Sequence, residues 1–449
     1  MTRATHTAVP QRIGRLPNGG LGERLRTLRV NAGLTQTDLA GERFSKEYVS
    51  QIERGKTRPT QETIEWLAQR LGVDPGFLAS GVSADERGRI ETALARAEAL
   101  SENHEYADSL EEFRKIRPAA LGIASPELEV RTLAGEAWVL MRTGEVKPAI
   151  ELLTRARALT EDAMFSDVDR ADVLFRLGAC RLELSSIQSA IGLFNEALAL
   201  AESSELPCDR LRTEILRRRA RCYRRQRDYE AAREDLERAL ELAEGLDDSR
   251  AIANVYFQAS LTAERQGQWV LARKYAEQAK AQFEELAERA TVGRVLNNLG
   301  GINFLLGKPE DAIEQLNESF KVLLEHGSEA DAARAVSSLA QVNLRTGQVE
   351  PAEEQARQAL KLLGERVDVV DEIGNAQLVL GRSLLEQGRL DEASEAFDAA
   401  EQSFDQLSSI SHRASAWIAK GDLAARRGQD QVAAQLYRRA AEALQDFRF

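Results

Sequence analysis

Four side chains within six residues, Lys46, Glu47, Ser50 and Gln51, carry groups that hydrogen-bond the edges of nucleic-acid bases. Lysine donates to guanine O6 and N7, glutamine pairs with adenine, glutamate accepts from cytosine N4, and serine does either. A second set, Gln36 with the run Lys56, Thr57 and Arg58, suits phosphate. The start of a helix offers unpaired N–H groups beside Gln36, and a basic loop supplies charge that positions without specifying.

These residues need a scaffold, and the flanking pattern supplies one. Leu21, Leu25 and Leu28 recur at helical spacing before Gly33. Thr35 and Asp38 form a capping pattern that starts a short helix near Gln36, with Leu39 and Ala40 turned inward. Ser45 caps a third helix from Lys46 to about Arg54, ended by Gly55. If Val49 and Ile52 share its core face, then Glu47, Ser50, Gln51 and Arg54 fall on the opposite side. Pro59 and Thr60 introduce a fourth helix with Ile64, Leu67 and Leu71, and Asp74 and Pro75 open a fifth turn.

The segments LGERLRTLRVNAGLTQTDLA, YVSQIERGKTRPT and IEWLAQRLGVDPGFL together resemble the lambda-repressor-like helix-turn-helix domains, the Cro/repressor or xenobiotic-response-element class. The resemblance covers about sixty residues and implies that the helix from Lys46 enters the DNA major groove. It places Lys46, Glu47, Ser50 and Gln51 at base-reading positions, and Gln36, Lys56, Thr57 and Arg58 at phosphate-contacting ones. One departure is the turn GERF after Ala40, a residue shorter than the usual pattern, with Phe44 where a small or aliphatic residue is common.

The rest of the chain repeats itself. Ser109, Ala149, Ala190, Ala232, Ala272, Ala312, Ala352, Ala393 and Ala434 recur at steps of 40 to 42 residues. Small residues also stand seven after nearly all of these landmarks, and twelve before them except at Asp422. A glycine five before many of them marks a tight turn. Each unit is then two amphipathic helices that must stack on their neighbours to bury an apolar face. The spacing resembles the tetratricopeptide repeat, whose usual unit is ~34 residues. That resemblance implies a right-handed superhelix with a concave surface lined by the first helix of each pair. On that stripe stand Trp138, Phe175, Arg217, Arg221, Arg224, Phe257, Asn297, Phe304 and Arg382. Rings could hold the side chains of an extended peptide, Asn297 could bond its backbone, and the arginines could clamp a carboxylate. The same aromatic residues could instead pack between helices, and the arginines could form a solvated face.

Charge divides unevenly. Residues 1–80 hold twelve Lys/Arg against eight Asp/Glu, and the remainder 48 against 64, within a net charge of −12. Polyanion affinity is expected at the basic end. No run approaches the eighteen apolar residues of a membrane span. Three cysteines without C-x-x-C spacing suit a reducing cytoplasm. His6, His104, His326 and His412 are scattered, and GGINFLLGKP lacks the hydroxyl of a phosphate loop. No enzyme, metal or cofactor is expected.

The resulting expectation is an all-α chain: a flexible basic arm over 1–20, a five-helix head over 21–80, a linker over 81–88, and an α-solenoid of about nine helix pairs over 89–449. The combination is similar to the peptide-pheromone-receptor regulators, which implies a double-stranded DNA operator, a peptide or protein ligand in the groove and a homodimer. The alternative is a repeat scaffold whose head docks a protein rather than DNA.

Overall fold

In a computed structural model, residues 20–81, 84–122, 125–364, 369–407 and 410–445 are described, and all regular elements among them are helices. The arm expected over 1–20 lies outside them except for Gly20. The helices fall in two compact units, divided between Pro207 and Cys208.

The first unit opens with the five-helix head: α1 Leu21–Asn31, α2 Gln36–Ala40, α3 Lys46–Glu53, α4 Gln61–Leu71 and α5 Pro75–Ser80. Leu25, Leu28, Leu39, Val49, Ile52, Leu67 and Leu78 form its core. Local chemistry fixes each start. Thr35 and Asp38 close the capping box of α2, and Ser45, Thr60 and Asp74 accept from the third helical N–H of α3, α4 and α5. The Asp38 carboxyl is held below its usual range by hydrogen bonds from Thr35. The buried Arg24 on α1 donates to the Leu78 carbonyl at 3.2 Å and ties down the end of α5. Three helix pairs complete the unit: α6 Ala84–Glu102 with α7 Tyr106–Gly122, α8 Pro126–Arg142 with α9 Val146–Thr160, and α10 Asp167–Glu183 with α11 Ile187–Ser203. Helix α6 begins inside the stretch expected to be a linker, because Asp85 and Glu86 suit a helix N-terminus.

The second unit is six further pairs: α12 Asp209–Gln226 with α13 Tyr229–Gly245, α14 Ser249–Arg265 with α15 Trp269–Glu285, α16 Arg289–Leu305 with α17 Pro309–Glu325, α18 Glu329–Arg345 with α19 Val349–Leu363, α20 Val370–Glu386 with α21 Leu390–Asp405, and α22 Ile410–Arg426 with α23 Asp430–Gln445.

The small residues of the repeat are where backbones meet. A Cβ on Gly178 would lie 2.7 Å from the Phe194 ring, on Gly381 2.5 Å from Phe397, and on Gly300 2.5 Å from Leu316. Each missing side chain lets a large one fill the pair interface, and burying such a side chain contributes about 1.5–3 kcal/mol. The turn five residues before each landmark takes positive φ even without glycine, as at Ser185 and Arg227.

The ninth unit corrects the expected register. Ala433 and Ala440 are buried, whereas Ala434 and Ala441 are exposed. Gly421 therefore occupies the small position, and a Cβ there would lie 2.6 Å from Tyr437. Gly428, five before Ala433, makes the turn with φ +73°. Asp422 stays outside this interface and accepts the Tyr437 hydroxyl at 2.7 Å, since an unpaired buried carboxylate would be costly.

Candidate nucleic-acid interface

Helix α3 is anchored from behind. Val49 and Ile52 are 0% and 1% exposed, while Lys46, Glu47, Gln51 and Arg54 are exposed and Ser50 is half-buried. Four exposed side chains thus project from a rigid rod of about two turns with little packing duty.

Three contacts set where that rod sits. The first is backbone against backbone: a Cβ on Gly22 of α1 would lie 2.3 Å from the Ile52 carbonyl oxygen. Only glycine permits this crossing. The second is a buried carboxylate clamp. Glu53, with a side chain 4% exposed, accepts from Arg29 Nε at 2.6 Å and from Gln36 Nε2 at 2.7 Å. Arg29 also donates to the Leu34 carbonyl at 2.8 Å, so one guanidinium joins α1, the loop before α2 and the end of α3. Its pKa is raised, chiefly by the hydrogen bond to Glu53. The third is an aromatic wedge. Phe44 packs on Tyr48 at 5.3 Å and edge-on to Trp66 at 5.1 Å, with Arg70 over the Trp66 ring. This explains the shortened turn: Gly41 bends the chain at φ +56°, and Phe44 fills the space against α4.

The end of α3 is closed by a Schellman motif. Lys56 N–H donates to the Gln51 carbonyl at 2.9 Å and Gly55 N–H to the Ile52 carbonyl at 2.9 Å, with Gly55 at φ +68°. The loop is thereby folded over the helix, with Lys56 and Arg58 exposed beside Gln51. Of the eight residues expected here, Gln36, Gln51 and Thr57 have side-chain partners inside the protein. The Gln36 amide nitrogen is engaged by Glu53, and Thr57 Oγ1 donates to Gln51 Oε1 at 3.1 Å.

Sequence reasoning missed Gly22 and Glu53. Both left a signal: a glycine inside a helical apolar pattern often marks a close approach. Glu53 lies about 40° around the helix from Val49, on the core side.

The repeat residues are placed less uniformly. Phe175 does not line a groove; it is 6% exposed, between Trp138 at 5.9 Å and Phe194 at 6.2 Å. The Trp138 ring is half-buried beneath Arg176. In the second unit Arg217 pairs with Glu214 of its own helix at 2.6 Å. Arg224 donates to Gln258 Oε1 of α14 at 3.0 Å. Burial, followed by repulsion from Arg221 and Arg265, brings Arg224 down to about 10. Glu264 is pushed up by burial and accepts from Asn298 at 2.8 Å. Phe257 and Phe304 are half-buried against their core clusters, Arg345 lies over the Phe304 ring, and Arg382 is half-buried. Asn297 is half-buried, and its Oδ1 is enclosed without a hydrogen-bond donor. Among the described residues no group of three His, Cys, Asp or Glu could hold a metal ion, and no helix is long and apolar enough to cross a membrane.

Residues 21–79 match the family of helix-turn-helix domains. Residues 134–205, 211–285, 291–365 and 378–446 match tetratricopeptide repeat families. The chain is a helix-turn-helix domain joined to tetratricopeptide repeats. Its head is 44% identical over 63 residues to the HTH-type transcriptional regulator DdrOP3 of Deinococcus deserti, covering 14% of this chain and 49% of that protein. The chain thus spans about half the length of that relative. An uncharacterized HTH-type transcriptional regulator, y4dJ of Sinorhizobium fredii, is 44% identical over 54 residues, 12% of this chain and 70% of that protein. Among solved structures, a Rap protein complexed with Competence and Sporulation Factor aligns with TM-score 0.59 at 17% identity, over 80% of this chain and 98% of that one. The apo quorum sensor NprR from B. thuringiensis aligns with TM-score 0.56 at 13% identity, over 80% and 99%. At such identities these structures establish the shared fold.

Proposed function

We propose that this helix-turn-helix protein is a sequence-specific DNA-binding transcriptional regulator whose repeats receive a peptide or protein segment. The observation that carries the DNA reading is the outward polar face of α3, with Val49 and Ile52 buried behind it and Lys56 and Arg58 exposed at its end. Lys46, Glu47, Ser50 and Gln51 meet base edges, while Lys56 and Arg58 neutralise phosphate. The identity of the head to two HTH-type transcriptional regulators supports it. One head makes few base contacts, so a homodimer on paired half-sites supplies the remaining specificity.

Asn297, half-buried on the first helix of its pair, is suited to bonding a peptide backbone, and this supports the ligand reading. The fold shared with a quorum sensor and with a Rap protein bound to a signalling factor points the same way. A ligand that prefers one arrangement of the repeats would change operator affinity by its differential binding. Immunoprecipitation of DNA bound by the full chain in cells tests both parts. Discrete enriched sites, altered when Asn297 is replaced by Ala, are expected. Uniform background enrichment would instead favour a scaffold whose head docks a protein.

A further inference from the structure

Helix α23 shows to solvent a face that inner units keep covered. In α17 the residues one, four, eight and eleven places after the landmark alanine are Ile313, Leu316, Phe320 and Leu323, and they pack on α18, the first helix of the next unit. In α21 the residues at four and eleven places, Phe397 and Phe404, are 0% exposed and cluster with α22. Glu401, at eight places, accepts from Trp417 of α22 at 2.7 Å. Counted from Ala433, the same positions in α23 are Ala434, Tyr437, Ala441 and Leu444. All four are exposed, Tyr437 at 38% and Leu444 at 43%. The Tyr437 ring already lies against Gly421 and its hydroxyl bonds Asp422, so the face is set before any partner arrives.

The order of these residues says what fits them. Along the helix they run small, large, small, large. A second copy of α23 laid antiparallel, with Arg439 at the centre, sets Tyr437 against the partner's Ala441 and Leu444 against the partner's Ala434. Each large side chain then meets a gap. Arg439 itself is turned away, over the Trp417 ring at 4.1 Å. Arg438 and Glu442 are exposed one turn apart on one flank of the stripe. A two-fold axis brings like flanks of antiparallel helices together, so Arg438 of each copy meets Glu442 of the other. We propose that α23 is the homodimer surface, where a second copy's α23 docks antiparallel through this stripe and two Arg438–Glu442 ion pairs. The assignment rests on the homodimer in the reading above and names its surface. A contact of one helix per copy is small, so the association is concentration-dependent.

The test is sedimentation equilibrium of the full-length chain without DNA, at concentrations up to about 100 μM. Wild type is expected to form a dimer. Ala441→Glu, at an exposed position, should raise the dimer dissociation constant by about tenfold or more, because it sets a charge against Tyr437. Arg438→Glu and Glu442→Arg should each weaken the dimer about tenfold through like charges. Mixing those two variants should restore dimers, since each then offers the charge that the other lacks. An unchanged thermal transition in each variant separates lost pairing from lost folding. A dimer that Ala441→Glu leaves as tight as wild type, or a mixture no tighter than its components, overturns the inference while a homodimer through another surface still stands. A wild-type chain that stays monomeric overturns the homodimer and this inference together, and leaves the DNA-binding face of α3 to its own test.

Discussion

Helix α3 and helix α12 both carry dense polar faces, and they use them differently. On α3 the charged groups stand in solvent, and the one buried carboxylate beside them, Glu53, is saturated by Arg29 and Gln36. On α12 many of the arginines are drawn into the fold: Arg219 chelates Asp235 through two bonds of 2.6 and 2.8 Å, Arg217 holds Glu214, and Arg224 reaches across to Gln258. A run of basic residues is thus no measure of available charge. What separates a reading surface from a structural one is whether apolar anchors or salt bridges take up the side chains.

That contrast can be broken at several points. Asp235→Ala should have the largest effect, because it removes the buried carboxylate that Arg219 chelates, at a cost of about 3–5 kcal/mol. Urea unfolding would show this loss, while the base preference of the head stays the same. Gly22→Ala comes next. Its methyl meets backbone that cannot rotate away, so a loss of about 1–3 kcal/mol is expected in the head's thermal transition, together with weaker binding to all duplexes. Lys56→Ala should leave stability alone and weaken every sequence alike, reducing the slope of log affinity against log salt by about 1. The smallest effect concerns Cys222, whose thiol is pushed up to about 11, chiefly by burial. At pH 8 it stays protonated, so a thiol-titrating reagent should label it only when the chain is unfolded. Labelling at the rate of a free thiol would show that α12 is less closed than its side chains indicate.

Much of the head was legible because its signals are local. Thr35 with Asp38, Ser45 and Gly55 each set an element end through a bond spanning three to five residues, and spacing alone reveals such bonds. The body's register was legible for the same reason, until the ninth unit, where Gly421 and Asp422 are adjacent and only packing against Tyr437 chooses between them. The long-range constraints were harder. Glu53 meets Arg29 across 24 residues, and Gly22, although a glycine in a helix signals a close approach, meets Ile52 through backbone atoms, so nothing in the sequence names its partner. The groove stripe failed at Phe175 because helical spacing gives direction but not depth: the side chain points along the stripe yet is covered by Trp138 and Phe194. Asn297 stands at the half-buried depth the stripe required.

The most direct measurement is equilibrium binding of the full-length chain to a duplex it enriches from a random pool and to a shuffled duplex, over a series of salt concentrations. The wild-type chain should prefer the enriched duplex, with affinity falling linearly on a log–log plot as salt rises. Gln51→Ala should lose about 1–3 kcal/mol of that preference while keeping its salt slope. Binding that ignores salt, or a Gln51→Ala chain that weakens equally on both duplexes, would contradict the claim that the outward face of α3 reads DNA.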